Sequence, residues 1–355
     1  MSATDTGAHE RTEARELLSD LVATPSVSGD EAAVAERLVD FFASHGREAY
    51  RDDVGNVRAP GDDGVLLTSH MDTVPGDIEV READGELWGR GACDAKGPLA
   101  SMAVAAAETG ASFVGVVGEE TTSLGARHLV ETRDAPDAVI NGEPSGWDAV
   151  TLGYRGFVTG AFTAETPSAH TSRPGPNALE YAMDWWHDVE AAFETEGESA
   201  VFEQVTTKPV GMDGGVTADG LAFESSVDAQ FRVPPSWTID EVAETAEDCL
   251  PTYVGEEASV GVEWTDSIPP VMASPRNAVA AALRAGVRAE GGETTHLRKT
   301  GTSDMNIYHG AWDCPMATYG PGDSSLDHAP DERIDLAEYD RGVAVLTAAA
   351  ERLTA

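Results

Sequence analysis

Val65-Leu66-Leu67-Thr68-Ser69-His70-Met71-Asp72-Thr73 is the stretch on which the fold turns. Residues 65–69 form an uncharged, largely apolar run that stops at an imidazole. A run so short, without polar alternation, suits a strand covered on both faces. Residues 11–22 carry apolar side chains at helical spacing, and Ser28 is placed to cap a second helix over about 30–45. Residues 98–107 read as a helix, 113–118 as a strand and 138–141 as another. This alternation predicts an α/β fold, an open mixed sheet with helices on both faces. Ligands in such sheets lie beyond the carboxyl ends of the strands. His70, Glu119 and Glu143 each follow a strand-like run, where a shared site would need them.

The middle of the chain reads differently. Residues 157–164 alternate like a strand, 177–193 are helical, and 205–210 and 222–233 are strands, the latter ended by Pro234 and Pro235. A helix over 239–250 and a strand over 259–264 complete a βαββαβ order. That order predicts a small α+β, ferredoxin-like sheet with helices on one face. Residues 271–355 return to the α/β pattern and end in a helix over 336–353. The expected organisation is a catalytic domain of 1–152 and 267–355, with 153–266 inserted as a lid and dimerisation domain. Residues 153–156 and 267–270 are the expected hinges.

The 355 residues include 63 acidic and 23 basic side chains, a formal net charge of -40. Only Lys96, Lys208 and Lys299 are lysines. The acidic residues are scattered rather than blocked, which argues for a carboxylate-covered globular surface and against a disordered tail. Such a surface repels itself in dilute salt, and screening shortens to ~3 Å at 1 M. The composition therefore reads as adaptation to a cytoplasm of molar salt. Nucleic acid and anionic membranes are poor partners for this field. No apolar run approaches the ~18 residues of a membrane helix, and the polar N-terminus lacks a signal-peptide core. A cytoplasmic location is expected. Cys93, Cys249 and Cys314 have neither metal-type spacing nor an even count.

Five segments carry candidate chemistry. In Ser69-His70-Met71-Asp72-Thr73, His70 can bind a metal and Asp72 can support its ring. Gly89-Arg90-Gly91-Ala92-Cys93-Asp94 presents a carboxylate with two oxygens on a glycine-rich backbone. Gly118-Glu119-Glu120 places adjacent carboxylates after an apolar strand, where one can bind metal and the other take a proton from water. Asn141-Gly142-Glu143-Pro144-Ser145 adds a further strand-end carboxylate, and a turn-rich loop from Gly320 to Glu332 holds His328. Taken singly, each is better read as a solvated loop. Jointly, imidazoles and carboxylates at strand ends suit zinc, cobalt or manganese rather than a thiolate site.

These segments, in this order and with this insertion, resemble the M20 metallopeptidase family of aminoacylase, acetylornithine deacetylase and succinyl-diaminopimelate desuccinylase. Within it, Gly91 to Leu99, Lys299 to Asn306 and Tyr319 to His328 are most similar to the [LysW]-lysine/[LysW]-ornithine hydrolases. The resemblance implies two divalent metal ions, with zinc expected and cobalt as the alternative. His70, Asp94 and Glu143 would hold one, and Asp94, Glu120 and His328 the other, with Asp94 as the bridge. Glu119 would be the general base and Asp72 would orient His70. His170 matches an oxyanion-steadying lid histidine, often serving the partner subunit's site. Arg173 matches a residue that grips the substrate carboxylate. Gly301, Thr302 and Ser303 would line the substrate pocket. The implied partner is the amino-group carrier protein LysW bearing lysine or ornithine, and a homodimer is implied. The competing readings are a small-molecule deacylase and a carboxypeptidase of the same family.

Overall fold

A strand whose residues 65–70 are all buried sits at the centre of the larger unit in the computed structural model, which describes residues 3–195, 200–252 and 254–355. The chain begins α1 (Ala3–Val22), α2 (Ala32–Ser44), β1 (Tyr50–Arg51), β2 (Val57–Ala59), β3 (Asp62–His70), β4 (Arg81–Ala83), β5 (Glu86–Trp88), α3 (Lys96–Thr109). It continues β6 (Ala111–Val116), α4 (Leu124–Thr132), β7 (Val139–Gly142), β8 (Ala149–Tyr154), β9 (Gly156–Pro167), α5 (Ala178–Ala192), β10 (Thr206–Val216), β11 (Ala222–Val233), α6 (Ile239–Asp248), β12 (Ser259–Ile268). It closes β13 (Val271–Met272), α7 (Ala278–Ala289), β14 (Thr295–Lys299), α8 (Asp304–Ala311), β15 (Met316–Thr318), β16 (Arg333–Asp335), α9 (Leu336–Leu353). Two compact units result: Met1–Leu152 with Ala273–Arg298 and Ser303–Ala355, and Gly153–Met272 with Lys299–Thr302.

In the first unit the strands run β1-β2-β6-β3-β7-β15-β8, with β14 also on β8. The central four, β6, β3, β7 and β15, are mutually parallel. Residues 65–70 of β3 are all buried, as a parallel strand between two helical layers must be. Helix α3 is buried without interruption from Lys96 to Ala106. Its alanines let it lie close against β3 and β6 while α1 and α9 pack on it. Helices α4 and α8 pack on each other, α4 also against β6 and α8 against β15. The expected α/β sheet with helical layers is therefore the observed one. A short sheet of order β16-β5-β4 was not foreseen, because strands of three residues show no periodicity.

The expected cap on α2 is corrected. The N-cap position is Glu31, without a side-chain cap. Ser28 Oγ instead donates to Asp72 Oδ2 at 2.7 Å.

The second unit has four antiparallel strands in the order β10-β11-β9-β12. Its sequence order β9-α5-β10-β11-α6-β12 is the split βαβ arrangement. Asn177 and Thr238 start α5 and α6 with capping boxes. Trp185, buried, stacks on Phe162 with centroids 4.8 Å apart and donates from Nε1 to the Ala246 carbonyl at 3.0 Å. Trp185 and Trp186 thus serve packing within this unit.

Candidate metal centre

The parallel register gathers the polar residues at one edge of the first unit's sheet. Ser69 pairs with Gly142 and His70 with Val116. Glu143 therefore follows β7 level with His70, and Glu119 lies three residues past the end of β6. His328 lies in the loop after β15. Gly118, with φ 70°, turns the chain after β6 in a conformation that side chains resist.

Asp94 has its oxygens facing two different imidazoles. Oδ1 is 3.3 Å from His70 Nε2 and Oδ2 is 3.4 Å from His328 Nε2. His328 Nε2 also stands 2.9 Å from Glu120 Oε2. One ligand atom from each of His70, Asp94 and Glu120 lies within 4.8 Å of the others. The turn before Asp94 needs glycine at position 91, where φ is 82° and a Cβ would come within 2.7 Å of Thr73. His328 itself has φ 60°, an uncommon conformation for a residue with a side chain.

Asp72 holds this edge together in two ways. Its carbonyl oxygen lies 3.0 Å from His70 Nδ1, closer than its carboxylate at 3.5 Å. Nδ1 therefore donates to that carbonyl, and Nε2 is the nitrogen that faces Asp94, available as a metal ligand when the imidazole is neutral. The Asp72 carboxylate accepts from the backbone N–H groups of Glu119 and Glu120, each at 3.1 Å. With Ser28 as third donor, it fixes the turn that carries both glutamates. Neither Ser28 nor Glu332, whose buried carboxylate accepts from the Asp94 backbone N–H at 2.9 Å, was legible as part of a site. Both act across long sequence separations that no local pattern signals.

The electrostatics are those of a crowded anionic pocket. Burial pushes the Glu119 carboxyl well above its usual range, and the Glu143 charge pushes it further. Burial likewise raises Glu120. Burial lowers the His70 imidazolium, but Asp72 and Asp94 outweigh it and hold the group well above the usual value. The hydrogen bond to Asp94, then the charge of Glu120, brings His328 to about 9 despite partial burial. Asp304, buried at the start of α8, is raised to about 7 by burial. Divalent cations among these oxygens would reverse this logic, favouring ionised carboxylates and neutral imidazoles.

The donor set fits such cations. Glu120 Oε1 is buried and has no hydrogen-bond partner among the described residues. A carboxylate oxygen left so costs stability unless something positive meets it. Imidazole nitrogen with carboxylate oxygen suits zinc, cobalt or manganese. Cys93 is buried beside Asp94, and its Sγ donates to the Asp323 carbonyl at 3.1 Å.

The remaining expected residues fall elsewhere. His170 and Arg173 are exposed, in the loop between β9 and α5 of the second unit. There the Ser172 backbone N–H donates to His170 Nδ1 at 3.2 Å, so Nε2 carries the ring proton. The Arg173 N–H donates to the His170 carbonyl at 2.9 Å. Gly301 and Thr302 belong to the second unit, where Thr302 Oγ1 accepts from Arg232 at 3.5 Å. Ser303 belongs to the first unit, is buried, and uses its hydroxyl to cap α8.

Residues 66–352 match the model of peptidase family M20/M25/M40. The chain is 40% identical to the [LysW]-lysine hydrolase of Deinococcus radiodurans, over 96% of this chain and 97% of that protein. It is 30% identical to the [LysW]-lysine/[LysW]-ornithine hydrolase of Saccharolobus islandicus, over 96% of each. The structure of the Bacillus subtilis YXEP protein, described as a dinuclear metal binding peptidase, superimposes with a TM-score of 0.72 at 14% identity, covering 98% of each chain. With a family match across most of its length and imidazoles and carboxylates gathered at the strand ends, this chain is a hydrolase belonging to peptidase family M20/M25/M40.

Proposed function

We propose that this hydrolase releases lysine or ornithine from an amino-group carrier protein by cutting the amide bond that joins them. The observation that carries this reading is the 40% identity to the Deinococcus radiodurans [LysW]-lysine hydrolase across 96% of the chain.

Two divalent ions fit the donor set, with zinc preferred and cobalt as the alternative. His70, Asp94 and Glu143 would hold one, and Asp94, Glu120 and His328 the other, with Asp94 shared. When bound, such ions polarise a carbonyl and lower the pKa of water towards ~7. Glu119 takes the proton of the attacking water and returns it to the leaving amine. Asp72 keeps His70 in one tautomer and holds the backbone beneath Glu119 and Glu120. His170, with its proton on Nε2, supplies a hydrogen bond to the oxyanion, a contribution of about 3 kcal/mol for one good donor. Arg173 grips the substrate carboxylate, and the loop through Gly301, Thr302 and Ser303 lines the pocket.

The same reading extends to the protein's setting. A cytoplasmic setting is supported by the low cysteine count, three in 355 residues, as in proteins of a reducing compartment; no described helix is long and apolar enough to cross a membrane. Strand β10 is an edge strand that exposes Val210, Met212 and Val216, which supports a homodimer formed through the inserted domain. The charge of -40 supports a cytoplasm rich in salt.

The deciding experiment follows amino-acid release in KCl with added zinc or cobalt. It compares the carrier loaded with lysine or ornithine against acetylornithine. Fast release from the carrier alone is expected. Release from acetylornithine alone would overturn the carrier reading and leave the metal chemistry standing.

A further inference from the structure

We propose that Glu332 is a positioning residue for the Asp94 and His328 half of the metal centre, acting with Arg90 as a strut between the two loops that carry them. The inference rests on the reading of Asp94 and His328 as ligands of one ion. Glu332 lies just before β16, whose pairing with β5 sets Arg333 opposite Trp88. That pairing brings the Glu332 side chain beneath the turn that leads from β5 to Asp94. There its carboxylate is fully buried. Oε1 accepts from the backbone N–H groups of Cys93 at 3.0 Å and Asp94 at 2.9 Å. Oε2 accepts from the Gly91 N–H at 3.0 Å and from Arg90 Nη1 at 2.7 Å. Arg90 Nη1 also donates to the carbonyl of Ala329, next to His328, at 3.2 Å.

Four donors converge on one anion, and three are peptide groups of the segment that ends at Asp94. A buried carboxylate is tolerated only with such a set of donors. No neutral isostere can replace it, because an amide offers one accepting atom and turns N–H groups towards the remaining donors. The strut has a partner in the design of the site. Asp72 holds the peptide groups of Glu119 and Glu120, while Glu332 holds that of Asp94. Each ligand-bearing turn thus hangs from its own buried carboxylate. Moving Asp94 shifts Oδ2, 3.4 Å from His328 Nε2, so the strut controls how the two ligands face one ion.

The test uses the full chain as the wild type, Glu332→Gln and Arg90→Gln, stripped of metal and checked for folding by circular dichroism. Zinc affinity is measured by competition with a chromophoric chelator, and the cobalt-loaded proteins are compared by visible absorption. Outer-shell supports of this kind are worth about 10- to 100-fold in metal affinity. We expect Glu332→Gln to weaken one of two zinc sites by that factor and to change the cobalt spectrum. Arg90→Gln should act on the same site more weakly, and it carries the test if Glu332→Gln does not fold. A folded variant of either kind that binds both ions with wild-type affinity and an unchanged cobalt spectrum would overturn the proposal, leaving Glu332 a stabiliser of the fold alone. A wild-type chain that binds no divalent ion would instead remove the metal-centre reading on which the proposal stands.

Discussion

Glu120 holds Oε2 2.9 Å from His328 Nε2 while its Oε1, buried, meets no hydrogen-bond partner among the described residues. A carboxylate that is half paired and half orphaned in a buried setting marks a place for a cation. Glu120→Ala and His328→Ala should each lose one of the two proposed ions after dialysis, as measured by elemental analysis. Activity should fall by more than the roughly 100-fold that outer-shell changes cost. Retention of both ions by either variant would remove these residues from the ligand set.

Glu119 follows the same strand as Glu120, and burial, then the Glu143 charge, raises its carboxyl well above the usual range. A group so placed suits proton transfer rather than coordination. Glu119→Ala should lower turnover by about 10²- to 10⁴-fold, the usual range for a general base. Its metal content should stay at the wild-type level. Loss of metal in step with loss of turnover would make Glu119 a ligand and sink the assignment.

Much of this arrangement is legible in the sequence. His70, Glu119 and Glu143 follow apolar runs, and parallel pairing gathers the ends of such runs. The ferredoxin-like insertion was legible because residues 157–164 alternate in sequence, and β9 buries every second residue along its length, as β11 does from Ser225 to Val233. What escaped was held at long range. Ser28 carries the local signature of a helix cap, yet its hydroxyl belongs to Asp72, 44 residues away. Glu332 sits in an acidic stretch that reads as solvated surface, and only the return of β16 onto β5 buries it under Asp94. Residues whose partners are peptide N–H groups leave no trace in side-chain spacing.

That placement of Ser28 gives a third prediction. Its hydroxyl is one of three donors on the Asp72 carboxylate, beside the two peptide groups of the glutamate turn. Ser28→Ala should cost about 1.5 kcal/mol, the lower end for a hydrogen bond to a charged group because Ser28 is half-buried. Turnover should fall as the turn loosens, with metal content preserved. A variant as stable and as fast as the wild type would show that the two peptide donors suffice.

Trp185 provides a test confined to the second unit. It is buried, stacked on Phe162 and bonded to Ala246, so its removal leaves both a cavity and an unpaired carbonyl. Trp185→Ala should destabilise that unit by about 3–5 kcal/mol. The proposed ligands all lie in the first unit, so zinc affinity of the folded protein should be retained. Calorimetry and metal titration on the same sample check both parts, and loss of metal binding without unfolding would contradict the assignment of the ligands to one unit.

The net charge of -40 sets a prediction for the whole chain. Carboxylates spread over one surface repel each other, and the repulsion weakens as the screening length falls from ~10 Å at 0.1 M salt to ~3 Å at 1 M. The unfolded chain keeps the same charges farther apart, so screening favours the folded state. The thermal midpoint should therefore climb steeply as KCl rises to molar levels. Most of the climb should come at the lowest concentrations if screening alone acts. Continued stabilisation well above 1 M would point to hydrated ions held by the acidic surface, since simple screening is nearly complete there. A midpoint that stays flat or falls with added KCl would remove the case for a salt-rich cytoplasm, because the acidic surface would then be doing nothing that depends on salt.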